Sequence, residues 1–321
     1  MSMRRVNLVL VGFASIALFL MFRSIDWDPL LRSLSLAKWY WALLVVPYGV
    51  TCYFWTLSWR LLVVDPAVPS LSRMFFLRLA GESLNQLTPT ASLGGEPFKA
   101  LRLQADGVRW QQAAASLIIH KALMVLSLVL YIFIGLALIP FTLPGISPRL
   151  ALFCCLGCSA LAAAGLVFLT LQRKNPCLSF LKMLKKIGHC PAVLAAKEND
   201  LASLDEVLAA FYRDHAGRGL LALGIFFLGW LMQAVEAWLI FALLGHRIPI
   251  ELALCLDGLA QLVAGLGFMI PASLGVQDGG NILLSLGFKL GATLGAGFSI
   301  MRRLREAFWL LLGVVVAARE K

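Results

Sequence analysis

Four charged residues lie inside a long apolar stretch close to the end of the chain: Arg302, Arg303, Arg305 and Glu306. If residues 292–318 form one helix, it is about 40 Å long, which exceeds the ~30 Å hydrocarbon layer of a bilayer. The charged residues then lie near its middle, where each arginine costs roughly 2.5–3.5 kcal/mol to insert. The sequence therefore predicts that they meet water, partner charges or an anionic ligand.

The spacing of these residues indicates what they can do together. Helix positions i, i+3, i+4 and i+7 share one face, which groups Arg302, Arg305, Glu306 and Trp309 and leaves Arg303 to one side. Planar guanidinium groups bind phosphate oxygens in a bidentate way. This face is therefore a candidate site for a lipid phosphate, with Glu306 holding one arginine in place.

Two structural alternatives stay open for the same arginines. In the first, they belong to a purely structural ion-pair network that binds no ligand. In the second, the segment is two short helices, and the arginines lie at a surface between them. The acids available to such a network are Glu96, Asp278 and Glu236.

The chain contains two similar breaks in otherwise apolar sequence. Residues 88–95 read Thr-Pro-Thr-Ala-Ser-Leu-Gly-Gly, and residues 271–280 read Pro-Ala-Ser-Leu-Gly-Val-Gln-Asp-Gly-Gly. Around a Pro/Gly break, half-helices too short to span a bilayer indicate re-entrant hairpins. Residues 252–270 are long enough to span, but we interpret them as the first arm of the second hairpin. The short pieces beside the breaks are 74–87, 96–104 and 281–290.

Each break ends on a pair of glycines, Gly94-Gly95 and Gly279-Gly280. Glycine lets backbone approach a ligand closely, and it leaves the N–H groups of a helix N-terminus accessible. Such N-termini attract anions. We therefore include these glycines in the predicted lipid site.

Each glycine pair has an acid beside it, Glu96 in the first break and Asp278 in the second. A carboxylate at this position would repel an anion. Three roles are open: the acids cap the helices, pair with Arg302 or Arg305, or carry a proton for coupled transport. We expect the pairing role.

Four further residues in or beside the first hairpin are candidates for the same site. Glu82 and Asn85 are polar enough to line a cavity. Lys99 and Arg102 lie about one turn apart, where they either meet lipid headgroups or simply follow the positive-inside bias of membrane proteins.

Composition places these candidates in a membrane protein. The chain is 60% hydrophobic and 14% charged, well outside the average of soluble domains. Its long apolar runs favour helices, since barrel strands are about 10 residues long and alternate in polarity. We predict an all-α polytopic membrane protein with about six full transmembrane helices, the first of them retained, plus two re-entrant hairpins. The six apolar runs are 6–22, 39–64, 113–139, 150–171, 219–244 and 292–318.

Charge distribution predicts the topology. The net charge of +11 is carried beside or inside apolar runs, which favours positive-inside orientation and anionic lipid over nucleic acid. With the basic loop 172–218 in the cytoplasm, both termini are cytoplasmic too. Residues 178–187 form a helix that lies either on the anionic leaflet or in an ordinary solvated loop.

The order of the elements predicts an internal repeat. Within a single domain, 1–321, one unit covers about 39–139 and a second about 219–318, and the topology gives them opposite orientation. Inverted repeats with broken helices are the plan of many secondary transporters, whose site lies near mid-membrane between the repeats.

The motifs of metal and nucleotide enzymes do not stand out. The sequence shows no Walker loop, HExxH motif or metal-spaced His/Cys set, and its four histidines are scattered. Cys155 and Cys158 form a CxxC in an apolar run, which indicates a small-residue packing face. We expect no metal, no cofactor and no enzymatic activity.

Three segments together resemble a known family: residues 81–100 (Gly-Glu-Ser-Leu-Asn-Gln-Leu-Thr-Pro-Thr-Ala-Ser-Leu-Gly-Gly-Glu-Pro-Phe-Lys-Ala), 270–280 and 302–306. They are similar to the flippase-like family, also called the lysylphosphatidylglycerol synthase transmembrane-region family, which includes a hopanoid-associated branch. Ala272-Ser273 and Asp278 depart mildly from its second motif. The resemblance covers about residues 5–318 and implies a bacterial inner-membrane protein with two re-entrant segments that handles or flips a lipid.

The resemblance and the charged site lead to one expected function and two alternatives. We expect a lipid translocase or lipid-binding transporter for an anionic or isoprenoid-type lipid, phosphate-bearing or hopanoid-like, in the bacterial cytoplasmic membrane. The alternatives are a non-catalytic scaffold of a lipid-biosynthesis complex and an intramembrane lipid transferase with Glu96 or Asp278 as base. The cytosolic aminoacyl-transferase domain of bifunctional members is expected to be absent. The sequence leaves open whether the chain forms a homo-oligomer.

Overall fold

The computed structural model describes residues 38–87, 94–142, 176–187, 198–266 and 275–320, with isolated positions elsewhere. Within them the chain is helical throughout, as predicted, and contains no strand. A 3-10 helix, Lys38–Leu44, precedes ten α-helices. These are α1 Val45–Leu62, α2 Leu71–Leu87, α3 Gly95–Ala105, α4 Trp110–Thr142, α5 Pro176–Lys186, α6 Glu198–Asp214, α7 Ala216–Leu243, α8 Ile250–Leu266, α9 Val276–Gly287 and α10 Ala292–Arg319.

Three of the described helical segments are long and apolar enough to cross a membrane: Ala42–Leu62, Trp110–Thr142 and Ala216–Leu243. They match three of the predicted runs, because long apolar stretches continue as helix even where they contain Pro47 and Pro140. The predicted runs 6–22 and 150–171 lie outside the described residues, apart from isolated positions of the second. The centre of each predicted break, with Pro89 and Pro271, lies outside them as well.

The second break differs from its prediction. The piece expected at 281–290 is α9, which begins five residues earlier at Val276 and ends at Gly287. Gly275 adopts a φ of +82°, and its N–H donates to the Asp278 carboxylate at 3.0 Å. This cap starts the helix before the two glycines. Gly279 and Gly280 therefore lie buried in the first turns of α9, not in the break.

Helices α1 and α7 cross at the centre of the described bundle through side chains that bond to backbone. Thr51 Oγ1 donates to the Gly229 carbonyl at 3.2 Å, and Trp55 Nε1 donates to the Phe226 carbonyl at 3.2 Å. Ser58 Oγ donates to Ala222 O at 3.1 Å. Residue numbers rise on α1 as they fall on α7, so the two helices are antiparallel.

Each long helix packs on the hairpin of the other half of the chain. α4 contacts α8, and α10 contacts α2. In the first pair Tyr131 bonds to Asp257. In the second, Ser83 Oγ donates to the Leu310 carbonyl at 3.2 Å. Each half of the chain therefore contributes one long helix that packs on the other half.

Both hairpins close at glycine contacts. A Cβ built on Gly95 of α3 would lie 1.9 Å from the Gly81 carbonyl oxygen of α2. One built on Gly280 of α9 would lie 2.4 Å from a methyl carbon of Val263 on α8. Such close helix approach requires small residues at the contact.

The polar segment between the halves contributes the helix pair α5 and α6. Asp205 of α6 accepts the backbone N–H groups of Cys177 and Leu178 at 3.0 and 2.9 Å, which caps the first turn of α5. Burial, with the nearby Asp205 carboxylate, raises the pKa of the Cys177 thiol to about 12. On α5 itself, the apolar side chains of Phe180 and Met183 are exposed. The helix predicted at 178–187 is present as Pro176–Lys186, and its contact with a membrane stays a prediction.

The Gly95 contact generates a stability prediction. Gly95→Ala forces the added methyl against the Gly81 carbonyl, and overpacking of this kind costs typically 1–3 kcal/mol. We expect a lower Tm of the protein in detergent micelles. Gly224→Ala is the matched control, because nothing lies within 4 Å of its Cβ position and alanine is favoured inside a helix. Equal Tm values for Gly95→Ala and the wild type would contradict the packing described for α2 and α3.

Candidate functional site

Two arginines of α10 form buried ion pairs with acids from other helices. Arg302 pairs with Asp257 of α8, and Arg305 Nη2 lies 2.7 Å from Glu236 Oε1 of α7. All four residues are at most 3% exposed. A charge buried to this degree is tolerated only when it is paired or hydrogen-bonded. The α10 arginines are therefore held in place by the protein itself.

Asp257 is the centre of a hydrogen-bond network that joins four helices, α4, α7, α8 and α10. Tyr131 of α4 donates its hydroxyl to Asp257 Oδ2 at 2.8 Å, while Arg302 binds Oδ1. Gln233 of α7 accepts from Arg302 at 3.4 Å. The network links the hairpin helix α8 to both long helices, α4 and α10.

Arg303 lies on the side of α10 that faces α9. Its Nε and Nη2 donate to the two carboxylate oxygens of Asp278 at 3.0 and 2.9 Å, a bidentate pair. Its Nη1 donates to Glu306 one turn along the helix at 2.8 Å. Asp278 therefore both caps α9 and fixes that helix against α10.

The first hairpin holds a comparable charged cluster. Lys99 is fully buried and lies between Glu82 and Glu96, at 3.1 and 2.8 Å. Lys121 of α4 reaches the same Glu96 oxygen at 3.1 Å. Asn85 accepts the Gly95 N–H at 2.7 Å and donates to Glu96 at 3.1 Å, which clamps α2 to α3.

The two clusters share one arrangement of charges. An acid at the beginning of the short helix pairs with a base on the long helix that follows: Glu96 with Lys121, and Asp278 with Arg303. The separation along the chain is 25 residues in the second pair, and the residue numbers give the same separation in the first. Each hairpin is thus bound to its own long helix by an equivalent ion pair.

Several predicted site residues occupy other places than expected. Glu96 and Asp278 do not pair with Arg302 or Arg305, because Asp257 and Glu236 lie closer to those guanidinium groups. The prediction of that pairing was wrong. Glu236, the third acid of the structural alternative, does pair with Arg305.

The residues of the first hairpin that were predicted to contact lipid also have other surroundings in the structure. Lys99 is enclosed between carboxylates. Arg102 donates to the Glu320 carbonyl at the end of α10 at 2.9 Å. Gly95 is buried against α2, whereas Gly94 is half-buried. Glu82 lines a cleft between α1, α2 and α10.

Sequence reasoning left four members of these networks out of the predicted site: Lys121, Tyr131, Gln233 and Asp257. It also left out Arg78, which lies outside them. The signal for Asp257 was present, since it is the single acid in the apolar run 252–270 and the α10 arginines require partners. Tyr131 lies in an apolar helix, where the sequence predicts that an aromatic residue serves only to pack in the core. Arg78 is 2% exposed on α2 and lies over the Trp55 ring, 5.1 Å from its centroid.

The charged residues of these networks keep some unused hydrogen-bonding capacity. No group of three or more His, Cys, Asp or Glu side chains suited to a metal ion occurs among the described residues. Several charged atoms are buried with no hydrogen-bond partner there: Arg78 Nε, Arg302 Nε and Nη1, Glu96 Oε2 and Glu236 Oε2. Each such atom retains capacity for water or for a polar ligand.

The Arg302–Asp257 pair generates a second stability prediction. Arg302→Met leaves Asp257 as a buried charge without its cation, and removal of one partner of such a pair costs roughly 3–5 kcal/mol. The double variant with Asp257→Asn removes both charges and should recover most of the loss, as judged by Tm in detergent.

Lys185→Met is the control, because the Lys185–Glu198 pair is exposed and such pairs contribute about 1 kcal/mol or less. If the double variant were less stable than Arg302→Met alone, the two residues would not act as a pair.

Comparison with known proteins identifies the family of the chain. The sequence matches the family described as lysylphosphatidylglycerol synthase TM region over residues 7–313. No curated protein and no solved structure matches it. Since the match spans nearly the whole chain, the protein is a helical membrane protein that belongs to the lysylphosphatidylglycerol synthase transmembrane-region family.

Proposed function

We propose that this protein is a lipid translocase, or lipid-binding transporter, of the bacterial cytoplasmic membrane. The observation that carries the proposal is the duplicated ion pair, Glu96–Lys121 in one half and Asp278–Arg303 in the other. It supports an inverted repeat of two units, α1–α4 and α7–α10. Membership of a family named for a lipid enzyme's membrane region supports a lipid as the substrate.

Three further features support the repeat. The hairpin helices correspond in length: α2 and α8 each have 17 residues, and α3 and α9 have 11 and 12. The antiparallel α1–α7 crossing gives the two units opposite directions. Each unit also places its long helix on the hairpin of the other. Inverted repeats of this kind let one unit move against the other around a site near mid-membrane.

In this proposal the two hairpins are re-entrant and open from opposite sides of the membrane. The pairs Glu96–Lys121 and Asp278–Arg303 fasten each hairpin to its long helix, and the hydrogen bond from Tyr131 to Asp257 joins the halves. As a lipid headgroup crosses between the halves, it replaces these internal ion-pair partners in turn. The cost of exposing a charge to hydrocarbon is then avoided at each step, because every charge always has a partner.

A scaffold in a lipid-biosynthesis complex is the second candidate. It is favoured by the fact that Arg302, Arg303 and Arg305 all have carboxylate partners within the protein. A scaffold requires the ion pairs only for stability, whereas a translocase requires them to open and bind a lipid headgroup instead. Charge-neutral substitutions that preserve the fold therefore distinguish the two.

Translocation is tested in vesicles with fluorescent phosphatidylglycerol and, separately, a labelled polyprenyl phosphate, by bleaching the outer leaflet. We expect wild-type protein to raise the flipping rate of at least one of them above that of protein-free vesicles. Lys121→Gln and Arg303→Gln each remove a charge-assisted hydrogen bond worth about 1.5–3 kcal/mol, so each should lower that rate at least about tenfold.

Lys185→Gln is the control and should flip lipid at the wild-type rate, because its ion pair is exposed. If wild-type protein flips neither lipid faster than empty vesicles, the translocase proposal fails. If it does, but both glutamine variants match the wild type, the ion pairs have no part in the movement.

A further inference from the structure

Ion pairs join the open end of the first hairpin to the other half of the chain. Arg73, at the beginning of α2, donates Nε to Asp106 at 2.9 Å and Nη2 to Glu320 at 2.9 Å. Arg102 of α3 donates to the Glu320 carbonyl at 2.9 Å. Glu320 directly follows α10, which belongs to the second half. We call these four residues the ionic cluster, because together they hold the first hairpin against the end of α10.

The two units correspond closely enough to identify the equivalent place at the second hairpin. The long helices α4 and α10 begin at Trp110 and Ala292, which are 182 residues apart. Glu96 and Asp278, the acids at the beginning of α3 and α9, have the same separation. Helices α2 and α8 are both 17 residues long, so their positions correspond one to one.

Every residue of the ionic cluster corresponds to an apolar residue in the second unit. Asp106 is the residue at the C-terminal cap of α3, and Phe288 has that position in α9. Arg73 is the third residue of α2, and Leu252 is the third residue of α8. The full set is Leu252 for Arg73, Leu284 for Arg102, Phe288 for Asp106 and Leu138 for Glu320.

These four apolar residues meet in one part of the core. Phe288 is 8% exposed within an apolar cluster, and the three leucines pack against the same cluster. Residues 122–142 contain no charged side chain, so no ion pair can join the end of α4 to the second hairpin. The end of α4 instead approaches α8 through Thr142, whose Oγ1 lies 3.8 Å from Cys255 Sγ. We call Leu138, Leu252, Leu284 and Phe288 the apolar cluster.

The two clusters oppose opening in physically different ways. The side chains of Arg73, Asp106 and Glu320 are 33, 24 and 12% exposed. Ion pairs that reach water are weak, and salt screens them. Opening of the apolar cluster exposes nonpolar surface, a cost that screening does not reduce. The ionic cluster is therefore the easier of the two to open.

We propose that the ionic cluster is a gate between the two halves of the protein, which opens while the apolar cluster stays closed. The proposal rests on the translocase function proposed above and assigns the side from which a lipid headgroup enters. That side carries the open end of the first hairpin and the end of α10, and it is cytoplasmic in the predicted topology. The apolar cluster closes the opposite side.

Double electron–electron resonance of the full chain in lipid nanodiscs tests the gate. In a chain whose seven cysteines are replaced by alanine, nitroxide labels on Ser72→Cys and Ala318→Cys report on the ionic cluster, because both positions are exposed beside it. Labels on Phe141→Cys and Glu251→Cys, also exposed, report on the apolar cluster. We expect the 72–318 pair to show a second, longer distance and the 141–251 pair to show a single one.

Arg73→Gln removes the guanidinium that bridges two carboxylates. It should raise the fraction of the longer 72–318 distance at least about threefold, the factor expected for loss of a hydrogen bond to a charged group. An increase of NaCl from about 0.1 to about 1 M shortens the screening length from about 10 to about 3 Å and should shift the same distance in the same direction. Arg213→Gln is the control and should shift neither label pair, because its pair with Asp214 is exposed and lies on α6.

A single 72–318 distance in wild type and Arg73→Gln at both salt concentrations would overturn the gate. Equal lengthening of both label pairs would overturn it too, because it would show general loosening of the protein. The vesicle assay separates this from failure of the proposed function. If wild-type protein flips lipid while the 72–318 distance stays single, only the gate is wrong. If the gate opens as described but wild-type protein flips nothing, the gate stands and the translocase proposal fails.

Discussion

The pairing of buried charges on α10 is the constraint on which the rest of the structure depends. A helix of 28 residues is about 42 Å long, so residues near its middle lie in the hydrocarbon layer when it spans a bilayer. Arg302 and Arg305 are tolerated there because Asp257 and Glu236 accept them. Those two acids lie on α8 and α7, and α10 is therefore fixed to both.

The same network also reaches the other half of the chain. Asp257 pairs with Arg302 inside its own half and accepts the hydroxyl of Tyr131 from α4 of the other half. Helices α4 and α10 each lie on the opposite hairpin, while the α1–α7 crossing is tied by side-chain bonds to backbone carbonyls. Glycine at Gly95 and Gly280 permits the close hairpin contacts. Polar bonds and small residues thus replace the hydrophobic force that lipid does not supply between helices.

Much of the fold could be predicted from sequence, because apolar runs and the Pro/Gly breaks between them are local signals. The helices α4, α7 and α10 follow from their runs, and α2 and α3 from the pieces beside the first break. The start of α9 could not be predicted, since it depends on the bond between Asp278 and the Gly275 N–H. The partners of Arg302 and Arg305 lie 45 and 69 residues away in the chain. Only the tertiary arrangement selects Asp257 and Glu236 over Glu96 and Asp278.

An experimental structure of the full chain in a lipid nanodisc, at a resolution that shows side chains, measures the position of these charges directly. The account predicts that Arg302 lies within hydrogen-bond distance of Asp257, that Arg305 does so with Glu236, and that both pairs lie near the middle of the bilayer. Arginines found in the headgroup layer, or turned away from these two acids, would contradict it.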